Sequence, residues 1–176
     1  MAGVRLRAAT SDDAALLLSL IRGLAQYERL EHECVATEDA LREHLFGPRP
    51  YAEAVIAEAD AETDAEAGGE PAGFALFFHS YSTFVGKPGI YLEDLFVKPE
   101  YRGLGIGKRL LAEVARIGVA RGCGRYEWTV LDWNEPAIRF YESLGAEMKR
   151  EWIINRVSGE ALSRLARLAL DDPRGG

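Results

Sequence analysis

The chain has 176 residues, 48% of them hydrophobic and 28% charged, with a formal net charge of −7. That is enough for one globular domain with its own core and too acidic for a nucleic-acid surface. No run of 18 apolar residues occurs and the N-terminus lacks a basic-then-apolar leader pattern, so no membrane-spanning helix or signal peptide is expected and the expected location is cytoplasmic.

Residues 4–8 read as a first strand. Thr10 or Ser11 then caps a helix whose Leu17, Leu20, Ile21 and Leu24 keep helical spacing. Thr37 with Asp39 and Ala40 opens a short second helix, which ends at the turn residues Gly47-Pro48-Arg49-Pro50. Strands at about 52–59 and 71–80 follow, separated by an acidic segment expected as a solvated loop. That segment, 60–70, holds Asp60, Glu62, Asp64, Glu66 and Glu70 and no base, so it supplies five of the seven net negative charges and leaves the remainder near −2. Net charge therefore says little about the charge of a bound molecule.

A strand over 89–97 ends at Pro99, which cannot continue a ladder. From Gly107 to about Arg121, Leu110, Leu111, Val114 and Ile117 line one helix face, and Gly122 and Gly124 end it. A strand over 126–131, a helix over 135–144 closed by Gly145, a last strand over 147–157 and a trailing helix over about 159–170 complete the chain. The alternation predicts an α/β fold in a single domain spanning 1–176: a mixed sheet, antiparallel in the first half, with a parallel arrangement in the second, flanked by helices. Cys34 and Cys123 lie far apart without metal-ligand spacing and are expected as free thiols; no metal is expected.

The segment from Leu92 to Tyr141 carries the chemistry. A strand-like run, LEDLFV, passes through Arg102-Gly103-Leu104-Gly105-Ile106-Gly107-Lys108 into an amphipathic helix. Alternate glycines before a helix let the backbone approach a ligand and aim free N–H groups at an anion. A dinucleotide fingerprint fails on offsets, since its last glycine would fall on Lys108 or Leu110. A Walker A loop fails too, with Arg102 at its first place and Arg109 at its last. What remains is a phosphate or pyrophosphate cradle of another kind, or a glycine-rich turn with no ligand.

The order LEDLFV, RGLGIGKRLL, WNEPAIRFYESLGA resembles the GNAT superfamily of acetyl-CoA-dependent N-acetyltransferases, and within it the diamine acetyltransferases, the spermidine/spermine N-acetyltransferase group. The likeness extends to 4–10, to Leu24-Ala25-Gln26-Tyr27-Glu28 and to Gly86-Lys87, covering most of residues 4–157. It implies the GNAT fold: a mixed, mostly antiparallel central sheet with a parallel splayed pair, flanked by helices. It also implies acetyl-CoA as cosubstrate, a small-molecule amine as acceptor and a homodimer whose last strands meet.

By this resemblance the backbone of Leu95, Phe96 and Val97 pairs with the pantetheine arm. The amides of Gly103, Leu104, Gly105, Ile106, Gly107 and Lys108 hold the pyrophosphate, with Arg102 assisting or anchoring the turn, and Asn134, Pro136, Ala137 and Tyr141 complete the cosubstrate site. Tyr27, Glu28, Glu93 and Asp94 are the implied acceptor residues. An alkyl amine, with a pKa near ~10.4, is mostly protonated at neutral pH, so a nearby proton acceptor helps. The resemblance implies Glu93 as that acceptor, acting through water; strand alternation turns Glu93 and Asp94 to opposite faces, so only one of the two readily faces a given cleft. Tyr141, protonated at neutral pH, is the expected donor to the departing thiolate.

One departure bears on the substrate. Related polyamine enzymes carry paired acids and a glycine before the tryptophan of the last strand, whereas this chain reads Lys149-Arg150-Glu151-Trp152. Basic residues there disfavour a long polycation and suit an amino acid carboxylate, so an acceptor such as lysine or thialysine is the alternative to a diamine. A catalytically idle coenzyme A-binding regulator is a third reading; it would need neither Glu93 nor Tyr141.

Overall fold

The computed structural model describes residues 3–59 and 69–169. The chain divides into two compact units, Met1–Thr129 and Val130–Gly176. The acidic segment over 60–68 and residue 170 of the expected trailing helix lie outside the described residues.

The first unit holds a five-stranded sheet in chain order: β1 (Val4–Ala8), β2 (Glu53–Ala59), β3 (Glu70–Ser82), β4 (Lys87–Val97) and β5 (Tyr126–Trp128). The first four run antiparallel to their neighbours, and β4 pairs parallel to β5 through Ile90, Leu92 and the residue between them. This is the α/β architecture that the sequence implied. β5 is shorter than the expected 126–131. Among the described residues no strand pairs with β4 beyond Leu92 on the β5 side, so Glu93–Val97 present an open edge there.

Thr10 starts the first helical stretch as expected. The Asp13 carboxylate accepts from the Thr10 N–H at 2.8 Å and its hydroxyl at 3.1 Å, over a single 3-10 turn that leads into α1 (Ala14–Glu28). Asp13 also receives Arg7 through two 2.7 Å bonds, and Arg7 bonds Glu58 at 2.6 Å, so one guanidinium ties β1, β2 and the start of α1 together. Thr37 caps α2 (Glu38–Phe46), accepting from the Ala40 N–H at 3.2 Å.

Leu17, Leu18 and Leu20 of α1 and Leu41 and Leu45 of α2 cover one sheet face, packing on Ile56, Phe74, Leu76 and Phe96. α3 (Ile106–Ala120) covers the other with Ile106, Leu110, Leu111 and Val114 buried, and a Cβ at its Gly118 would stand 2.9 Å from Ile90. Cys34 and Cys123 are half-buried free thiols.

β4 carries a bulge. Leu92 lies opposite Phe77 and Asp94 opposite Leu76, which leaves Glu93 as the extra residue. Directly opposed residues share a face, so Asp94 joins Leu76, Phe74 and Phe96 on the α1 side, while Leu92 stays with Ile90 on the α3 side. Leu92 and Asp94 therefore do not share a face, because the inserted residue shifts the pleat by one.

The second unit holds α4 (Glu135–Ser143) and α5 (Gly159–Arg167). The strand expected over 147–157 is not formed. Its Trp152, Ile153 and Ile154 are β-favouring residues, but they are 73%, 83% and 65% exposed, and the Trp152 N–H turns back to the Lys149 carbonyl at 3.2 Å. Propensity makes a strand only where a neighbouring strand takes up its backbone groups. Among the described residues no helix is long and apolar enough to cross a membrane.

Candidate active site

The glycine loop owes its shape to backbone angles that side-chain-bearing residues avoid. Gly103 has φ 80° and Gly105 φ 77°, and a Cβ at either would meet nothing within 4 Å, so both lie against open space. Gly105 is the N-cap of α3 and no side chain caps the helix there, which leaves the first-turn amides of Ile106, Gly107 and Lys108 for an anion. Leu104 and Lys108 are exposed at the same turn, whereas the Ile106 side chain is buried beneath it. The cradle that the sequence suggested is therefore built of backbone, and it fits a pyrophosphate. The open edge at Leu95, Phe96 and Val97 fits an extended amide-bearing chain in the same way.

Arg102 anchors the turn. Its Nε donates to the Val97 carbonyl at 3.1 Å, and its guanidinium lies 4.7 Å from the ring centre of Tyr27 and 5.9 Å from that of Phe96. The start of the glycine loop is thereby held against the end of α1. That end is abrupt: Arg29 takes φ 62°, its N–H bonds the Gln26 carbonyl at 3.2 Å, and the Leu30 N–H bonds the Ala25 carbonyl at 2.8 Å. Tyr27 and Glu28 thus sit in the last turn. Gly23, one turn back, brings the helix close to the sheet, since a Cβ there would stand 3.0 Å from the Phe96 ring.

Three carboxylates gather beside this junction. Glu93 is exposed at the bulge, Asp94 is half-buried on the α1 face, and Glu28 is half-buried at the helix end. Burial pushes the Asp94 carboxyl up to about 7, and the negative charges of Glu93 and Glu28 add to the shift. Burial raises Glu28 as well. Of the residues expected for the acceptor, the structure brings all four, Tyr27, Glu28, Glu93 and Asp94, into this one region of the first unit.

Sequence reasoning missed the bulge and the stacking of Arg102 on Tyr27. LEDLFV carried no local signal for the first, because a strand covered on both faces can hold consecutive apolar residues with or without a bulge. Among the described residues no group of three His, Cys, Asp or Glu is arranged to hold a metal ion.

In the second unit Asn134, Pro136, Ala137 and Tyr141 share α4 and its cap. The Asn134 side-chain Oδ1 accepts from the Ala137 N–H at 3.4 Å and the residue is buried, Pro136 occupies the first turn, and Tyr141 is half-buried with its ring 5.4 Å from that of Phe140.

Residues 23–146 match the model of the acetyltransferase (GNAT) family. A thialysine N-epsilon-acetyltransferase of Bos taurus is 41% identical over 169 residues, which span 94% of this chain and 99% of that protein. An L-ornithine N5-acetyltransferase of Arabidopsis thaliana is 36% identical over 201 residues, 93% of this chain and 88% of that one. A spermidine/spermine N(1)-acetyltransferase-like protein 1 of Homo sapiens is 31% identical over 165 residues, 92% of this chain and 24% of that one. An integron cassette protein from the mobile metagenome of V. cholerae has a similar solved structure, with a TM-score of 0.74 at 27% identity over 93% of this chain and 98% of that one. An aminoglycoside N-acetyltransferase crystallised with CoA shares the fold, with a TM-score of 0.68 at 22% identity over 90% and 97%. With more than half of its length matched and relatives this similar along nearly all of it, the chain belongs to the acetyltransferase (GNAT) family.

Proposed function

We propose that this protein transfers acetyl from acetyl-CoA to a primary amine of a small molecule, by direct attack in a ternary complex and without an acyl-enzyme, with residues 1–176 working as one acetyltransferase domain. The observation that carries the reading is the Arg102 contact with Tyr27, 4.7 Å from guanidinium to ring centre, which ties an anion-binding glycine loop to a cluster of three carboxylates. One end suits a pyrophosphate, the other an ammonium group.

Acetyl-CoA would be held by the amides of Gly103–Lys108 at the start of α3, by the open edge at Leu95–Val97 and, on the family pattern, by Asn134, Pro136, Ala137 and Tyr141. An N–H of the open edge polarises the thioester carbonyl. The acids at the bulge, Glu93 in the family pattern, take the proton of the ammonium group, and Tyr141 returns one to the thiolate. Intact acids beside an open donor loop favour an enzyme over an idle coenzyme A-binding regulator.

Two acceptor classes fit. Glu28, Glu93 and Asp94 suit a diamine or polyamine, whose second ammonium group needs a counter-charge. The 41% identity to a thialysine acetyltransferase and the 36% identity to an ornithine acetyltransferase favour, about as well, an amino acid with a side-chain amine. A panel of diamines, spermidine, ornithine, lysine and thialysine, with coenzyme A release as readout, separates the two. Release with at least one of these amines is expected; release with none, while coenzyme A itself binds, would leave the idle regulator.

A further inference from the structure

The β4 bulge decides which of two adjacent acids lies on the face that α1 covers. Without it Asp94 would share a side with Leu92 and Ile90, beneath α3, and Glu93 would point at α1. With Glu93 inserted as the extra residue, Asp94 lies opposite Leu76 on the face that α1 covers, on the same side as Phe96 and within electrostatic reach of Glu28. Glu93 is left exposed at the bulge. We propose that Asp94, placed on the α1 face by the bulge, is the group that takes the proton from the substrate ammonium, while Glu93 and Glu28 hold the cation in place. This rests on the acetyltransferase reading and deepens it.

The surroundings agree. Leu76 on β3 and Phe96 on β4 are apolar; Glu28 from α1 and Glu93 from β4 are the charges that act on Asp94, both negative. Arg102, a cation beside Tyr27, is engaged with the Tyr27 ring and the Val97 carbonyl. A carboxyl pushed up to about 7 by burial is a far better match to an amine than an ordinary acid, because transfer from an ammonium near ~10 to a group near ~4 runs more steeply uphill. The balance is complete: the ammonium gives one proton to Asp94, which passes it to solvent after the reaction. The freed lone pair forms the N–C bond, the C–S bond breaks with its electron pair on sulfur, and the second nitrogen proton replaces the one that the thiolate takes up.

The test measures kcat/KM against pH for the full-length protein with its best amine from the panel. The wild type is expected to gain activity through a limb near pH 7. Asp94→Asn should lose that limb and about 100-fold or more in rate, while Glu93→Gln keeps the limb and raises the amine KM several-fold. Stabilisation by coenzyme A in a thermal melt should be the same for all three, which separates a chemical loss from an unfolded variant. If Asp94→Asn keeps both limb and rate while Glu93→Gln loses the limb, the assignment is overturned. Should Asp94→Asn not fold, Asp94→Glu decides: the limb moves if Asp94 carries it, and a limb at the wild-type position overturns the proposal. A wild-type chain that acetylates no amine at all overturns the acetyltransferase reading itself, an outcome distinct from transfer with a limb that ignores Asp94.

Discussion

Tyr141 stands in the second turn of α4, half-buried, with Asn134 capping the same helix seven residues before it. A phenol is fully protonated at working pH, so its value to an acetyl transfer is as a donor to the leaving thiolate. Tyr141→Phe keeps the ring and removes only the hydroxyl. It should lower kcat by about 100-fold while leaving coenzyme A binding unchanged in a thermal-shift assay; unchanged turnover would remove Tyr141 from the mechanism. The FY pair that follows Asn134, read with the family resemblance, singled out this residue in the sequence, and the spacing of Gly103, Gly105 and Gly107 before an amphipathic helix singled out the loop. The placement of Asp94 had no such signal. Its environment depends on which residue of β3 lies opposite, and nothing local to LEDLFV states that.

At the level of elements, the join between sheet and α1 rests on Arg7. Its guanidinium holds the Asp13 carboxyl down at about 2, mainly through two hydrogen bonds that outweigh the opposing effect of burial. For Glu58, burial pushes the carboxyl up, but the bonds from Arg7 and Arg5 prevail and leave it lowered. A depressed carboxyl contributes stability above its unfolded value, near ~4, and that contribution fades as pH falls toward 2. Asp13→Asn should therefore cost about 1–3 kcal/mol at pH 7. Urea unfolding at pH 7, 4 and 2.5 should show the deficit shrinking across the last two. The elements themselves were largely legible: Thr10 and Thr37 announced helix starts, and Leu110, Leu111 and Val114 announced the buried face of α3. The strand expected over 147–157 was not, because a run such as Trp152-Ile153-Ile154 specifies a strand only together with a partner that sequence does not name.

For the whole molecule, the same unpaired run is the feature that bears on assembly. Trp152 and Ile153 expose 73% and 83% of their surface, and Leu162 and Leu165 of α5 expose 53% and 54%. We propose, with the family resemblance, that two copies associate through their last segments. Light scattering should give twice the 19.4 kDa chain mass, and a monomer mass would reject it. The bulge has a consequence at this scale too. It makes residue count, and not only residue identity, part of the chemistry: one position inserted between Leu92 and Asp94 exchanges the side on which every later residue of β4 emerges. A relative that lacked this one position could keep Asp94 and every glycine and still turn that carboxylate to the other side of the sheet, so aligning such chains letter by letter would match residues that do unlike work.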